Sequence, residues 1–131
     1  MADGNWDEIL ESYKFAQERN WGKQYVWLEK LVSQLLANLD LSILYPITSH
    51  YLLILYIGNR FEGINNLPRL SIELSFEVGE FIDKSRYKFS LTTGNEGDEL
   101  FREFVESVYC SFEKSLEVFD EMFEKLKAAT E

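Results

Sequence analysis

The spacing of apolar residues changes period several times along this chain of 131 residues, and each change marks a predicted element. Trp6, Ile9, Leu10, Tyr13 and Ala16 recur at helical spacing. Asn5 stands where an N-cap belongs and Glu8 follows in capping-box position, so a first helix is predicted from there. Asn20-Trp21-Gly22 interrupts the pattern. A second helix then carries Tyr25, Leu28, Leu31, Val32, Leu35, Leu36 and Leu39 on one face. The short connection predicts an antiparallel helical hairpin holding Trp6, Trp21 and Trp27.

The pattern changes after Asp40. Leu41 to Tyr45 leads into Pro46, and the run from Ser49 to Ile57 predicts a strand apolar on both faces. Its length, its Ile and Tyr content and its bounding by Pro46 and Gly58 favour a strand, with a short buried helix as the alternative. From Arg69 to Gly79, Leu70, Ile72, Leu74, Phe76 and Val78 alternate strictly with Ser71, Glu73, Ser75 and Glu77, which predicts a half-buried strand. Tyr87, Phe89 and Leu91 alternate in the same way with Arg86, Lys88, Ser90 and Thr92. A tight turn near Asp83-Lys84 would place Val78 opposite Phe89 and Phe76 opposite Leu91, with matching parity.

Thr93 to Asp98 combines a break with a helix start, Thr93 or Asn95 serving as cap. Beyond it the periodicity predicts one long two-faced helix to about Ala128. Phe101, Phe104, Val108, Phe112, Phe119, Met122 and Leu126 share one side. Glu99, Glu103, Glu106, Glu113, Glu117, Asp120, Glu121 and Glu124 share the other, within about 60° of one direction. The expected order is therefore ααβββα: one compact α+β domain over residues 1–131, made of an N-terminal helical hairpin, a three-stranded antiparallel meander and a long C-terminal amphipathic helix. Helices should cover the apolar face of the meander. The second face of the first strand needs cover as well, from a wrapping helix or from a second copy in a homodimer.

Composition narrows the function classes. With 46% hydrophobic residues the chain can bury a core without crosslinks. Its longest apolar run, Tyr51 to Ile57, is too short for a bilayer span. The acidic N-terminus lacks the basic start and apolar stretch of a secretory signal, so a cytoplasmic location is expected. A net charge of −10 repels phosphate and anionic lipid, which argues against direct nucleic-acid or membrane partners. The acidity is local: from Asn95 onward eleven acids face only Arg102, Lys114, Lys125 and Lys127.

Candidate chemistry is sparse. His50 is the only histidine and has no acidic neighbour in sequence, and the spacings of zinc proteases, nucleophile elbows, dinucleotide turns and phosphate loops are absent. Cys110 is the only cysteine. On the helical reading it lies exposed among Glu106, Glu113 and Glu117, whose charge disfavours the reactive thiolate. Outward carboxylates with no histidine beside them make a poor metal site, so neither metal nor cofactor is expected.

Two surfaces remain as binding candidates. The acidic row, roughly 37 Å long with one-turn steps, could dock onto a basic protein groove. The connection from Gly58 to Pro68 would display Arg60, Phe61, Asn65 and Asn66. The expectation is a non-enzymatic binding protein of inhibitor, immunity or adaptor type that engages a basic protein through the acidic helix. The alternatives are an acidic dimeric chaperone, and a small-ligand binder or enzyme with a pocket between sheet and helices.

Overall fold

The computed structural model describes residues 4–58, 68–75, 87–94 and 103–130. Two helices lead, α1 (Trp6–Gln17) and α2 (Tyr25–Asn38). Five strands follow, β1 (Leu44–Ser49), β2 (Leu52–Ile57), β3 (Arg69–Leu74), β4 (Tyr87–Gly94) and β5 (Glu103–Cys110), and helix α3 (Phe112–Thr130) ends the chain. The strands form one antiparallel sheet in sequential order, so the fold is α+β, with five strands among the described residues where the periodicity predicts three.

The N-terminal helices start and pack as their patterns require. Asn5 Oδ1 accepts from the amides of Asp7 (3.0 Å) and Glu8 (3.1 Å), satisfying two donors that the first turn leaves unpaired. Ile9, Tyr13 and Ala16 on α1 and Leu28, Leu31, Val32 and Leu35 on α2 are buried in one core. The sheet contributes Leu53, Leu55, Leu70, Ile72, Tyr87 and Phe89 to the same core, and α3 adds Phe119, Met122, Phe123 and Leu126. All three helices therefore sit on the sheet face that carries the alternate apolar residues of β3 and β4, as expected.

Three corrections concern the strands. The segment read as one strand from Ser49 to Ile57 is a hairpin: Ser49 pairs with Leu52, and His50 and Tyr51 make a two-residue turn. His50 adopts a positive φ of 54°, uncommon without a glycine but least so for Asn, Asp and His. Pro46, a boundary on the sequence pattern, lies inside β1. That is possible because β1 is an edge strand and the missing N–H costs no ladder bond on its outer side.

The second correction is register. Leu70 faces Leu91 and Ile72 faces Phe89, a slide of six residues from the expected pairing. Six is even, so every side chain keeps the face that the alternation assigned to it. Phe76, Val78 and the Asp83-Lys84 turn lie outside the described residues, and Thr93 belongs to β4 rather than to a helix cap.

The third correction is the largest. From Glu103 onward, where it is described, the predicted long helix is a strand, β5, followed at Ser111 by a shorter helix, α3. Phe104, Val108 and Phe112 recur every four residues, a step that keeps side chains on one face of a strand as well as of a helix. Helical spacing was therefore ambiguous there. Val105, Val108 and Tyr109 bring β-branched and aromatic side chains to this stretch, and β4 offers an edge to pair with.

Candidate functional site

Seven of the eight carboxylates expected on one helical row are described, and they divide between two elements. Glu99 lies outside the described residues, and Glu103 is in β5. Glu106 is also in β5, on the face turned to the helices, where its Oε1 accepts from Lys125 Nζ of α3 at 2.6 Å. It joins strand to helix and is not part of an outward row. Glu113, Glu117, Asp120, Glu121 and Glu124 remain together on α3, all exposed.

Within α3 those five carboxylates span an arc of about 100° directly opposite Ser115, Phe119, Met122 and Leu126. The row from Glu113 to Glu124 is about 17 Å long, under half the length expected of an unbroken helix. Lysines border it on both sides. Lys127 donates to Glu124 at 2.6 Å, Lys114 lies 3.8 Å from Glu117, and Lys125 lies 4.0 Å from Glu121 while holding Glu106. Among the described residues Glu113 and Asp120 have no such cation. The hydrogen bond and charge of Glu106 raise the pKa of Lys125, which keeps this lysine charged.

Cys110 is buried, at 6% exposure, and stands opposite Tyr87. This corrects its expected place in the acidic row. The thiol is still held protonated, because burial pushes its pKa from the ordinary 9.0 up to about 11. The cause is desolvation and not neighbouring carboxylates.

His50 sits at the tip of the β1–β2 turn beside a concavity of about 360 Å³ lined by Ser49, His50, Tyr51, Leu52, Glu73 and Leu74. The concavity is open on one side, unlike the closed pocket that a ligand site between sheet and helices would need. Among the described residues no group of three or more His, Cys, Asp or Glu side chains is placed to hold a metal ion, and no helix is long and apolar enough to cross a membrane. Arg60, Phe61, Asn65 and Asn66 lie outside the described residues.

Sequence reasoning missed the exposed apolar side chains. Phe15, Trp21, Ile43, Val105 and Tyr109 are each between 45% and 65% exposed. Arg19 covers one of them, its guanidinium 4.6 Å from the Phe15 ring centroid. On a helix Val105 and Tyr109 would not stand out as an outward apolar pair. As strand residues four apart they share one face of β5, with Ser107 between them. Comparison with protein families, characterised proteins and solved structures gives no match to this chain.

Proposed function

We propose that this protein is a non-enzymatic binding protein that engages a basic protein partner through the outer face of α3, in the manner of an inhibitor, immunity protein or adaptor. One observation carries the reading: five exposed carboxylates share one face of a helix whose opposite face is fully packed. Carboxylates repeated three and four residues apart repel one another and weaken an isolated helix by a few tenths of a kcal/mol per pair. Here core packing offsets that cost. A basic surface would relieve the repulsion, with Glu113 and Asp120, which have no cation partner among the described residues, offering their charge and Glu117, Glu121 and Glu124 exchanging lysines for a partner's cations. Such contacts speed association and set specificity more than they add affinity.

The test is capture from the native lysate by the full chain, in low and high salt, beside a Glu113→Lys, Glu117→Lys, Asp120→Lys variant. Basic proteins should be retained at low salt, released as ionic strength rises, and lost in the variant. Reversing Asp7 and Glu11 on α1 should leave capture unchanged. Retention of every partner by the α3 variant would mean that this face only meets solvent.

A further inference from the structure

β5 ends the sheet, and among the described residues no strand pairs with its outer edge. Most proteins blunt such an edge with lysine, proline, a bulge or a short strand. From Glu103 to Cys110 this one has no lysine or proline, pairs along the full length of β4, and carries two charges, Glu103 at its first position and Glu106, which Lys125 neutralises. Its solvent-side row is Val105, Ser107 and Tyr109, with Val105 59% and Tyr109 55% exposed. Ser107 bonds Ser90 at 3.0 Å and Lys88 lies over the Tyr109 ring at 5.7 Å, so neighbours on β4 hold this row in place.

We infer that β5 is a homodimerisation edge: two copies pair β5 to β5, antiparallel, about a two-fold axis through Ser107, and continue the sheet across both chains. This surface is separate from the acidic face of α3 and does not depend on it. A two-fold axis that extends an antiparallel sheet stands perpendicular to it, so directly opposed residues have equal parity and the axis passes through a residue. Centring on Glu106 would set two carboxylates directly opposite each other, which is unfavourable. Centring on Val108 would oppose Ser107 to Tyr109 and leave Val105 beyond the end of the opposing strand. Centring on Ser107 opposes Val105 of each copy to Tyr109 of the other, twice, and keeps all of residues 104–110 in register. The pairing is thus self-complementary: it covers both exposed apolar side chains of the strand with an aromatic and β-branched match.

A contact of this kind is at the small end of specific interfaces, on the order of 1,000 Å², so a micromolar dimer is expected. Each copy carries a net charge of −10, and salt must therefore tighten the dimer by screening the repulsion. Salt weakens capture of a basic partner, so failure of either proposal is recognisable without the other. The experiment is sedimentation of the full chain at about 100 µM in low and high salt, with cross-linking of single-cysteine replacements. Paired residues on an antiparallel two-fold have Cα atoms about 5 Å apart, within disulfide reach. Mild oxidation should link Ser107→Cys across the axis and leave Glu106→Cys mostly monomeric, the buried Cys110 staying unreacted. Val105→Lys, at an exposed position, should weaken the dimer at least tenfold. A monomer in high salt would overturn the inference and leave the edge to another protein's strand. Cross-linking of Glu106→Cys in preference to Ser107→Cys would overturn it as well.

Discussion

At the β1 end of the sheet, groups from the leading segments close over the edge strand, while at the β5 end α3 packs on one face and, among the described residues, the outward pair Val105 and Tyr109 stays exposed. Gly4 donates to the Pro46 carbonyl at 2.7 Å. Tyr13 bonds Thr48 through their hydroxyls at 2.8 Å, and Tyr51 donates to the Trp21 carbonyl at 2.7 Å. Tyr25 lies between Tyr13 and Tyr51, at centroid distances of 5.6 and 4.7 Å, so rings from both leading helices clasp the β1–β2 turn. Edge protection is thus local. Proline and an aromatic clasp protect one side, and among the described residues nothing equivalent covers the other, as a sheet extended by a second copy requires.

The clasp can be broken at one atom. Gly22 lies where the chain turns back from α1, and a Cβ there would stand 1.9 Å from the Ala16 carbonyl oxygen, a clash with backbone that no rotamer can relieve. Gly22→Ala should therefore move Trp21 and Tyr25 together and destabilise the fold by about 3 kcal/mol. Urea unfolding checks the loss, and near-ultraviolet circular dichroism checks that the aromatic cluster has moved. Gly58→Ala, which meets nothing within 4 Å but has φ of +81°, should cost only about 1 kcal/mol. Equal losses at the two glycines would mean that the clasp does not hold the β1 end.

Alkaline pH distinguishes the two ends by chemistry. Two buried weak acids carry the contrast: Tyr13 in the clasp, whose pKa burial raises well above the ordinary tyrosine range, and Cys110 under α3, raised from 9.0 to about 11. In both cases the folded chain holds the proton more tightly than the unfolded chain does. Their contribution to stability is thus complete below the unfolded pKa and declines as pH rises towards the folded value. The urea midpoint should fall above about pH 9 as unfolded Cys110 begins to ionise, and further above pH 10 through Tyr13. Cys110→Ala should remove the first decline and Tyr13→Phe should lessen the second, which Tyr25 and Tyr56, also raised by burial, share. At neutral pH the same shift should slow thiol labelling about a hundredfold relative to free cysteine. Labelling at the rate of free cysteine would show that α3 does not cover the β5 end.

The difference between the ends also explains what the sequence could reveal. Asn5 and the seven-residue apolar face of α2 act through neighbours in the chain, and both helices appear where the pattern puts them. The alternation of Leu70, Ile72 and Leu74 with polar residues fixes which face each side chain takes, but face survives any even slide, so the six-residue register error left no trace in the pattern. His50 turns a hairpin with no glycine to announce it. The β5 segment shares a four-residue apolar spacing with a helix, and only the open edge of β4 decides between them. That error merged five real α3 carboxylates with three from elsewhere and hid the pair Val105 and Tyr109. The acidic face was legible because it depends on one helix, and the dimer edge was not because it depends on which strand comes last.

The smallest expected effect on stability sharpens the comparison most. Lys125 and Glu106 join α3 to β5, yet their side chains are 42% and 50% exposed, and exposed pairs of this kind contribute little to folding. Lys125→Met should leave the urea midpoint nearly unchanged, because Phe119, Met122, Phe123 and Leu126 hold α3 by burial. It should nonetheless weaken self-association, because it leaves an unpaired carboxylate beside the two-fold axis in each copy and two such charges repel at short range. Adding Glu106→Gln to the variant removes that charge and should restore the dimer. If Lys125→Met instead lowers the midpoint as far as Gly22→Ala does, the ion pair is what holds the β5 end, and both ends of the sheet depend on single contacts. If the variant leaves self-association intact, Glu106 lies away from the axis and the register through Ser107 is wrong.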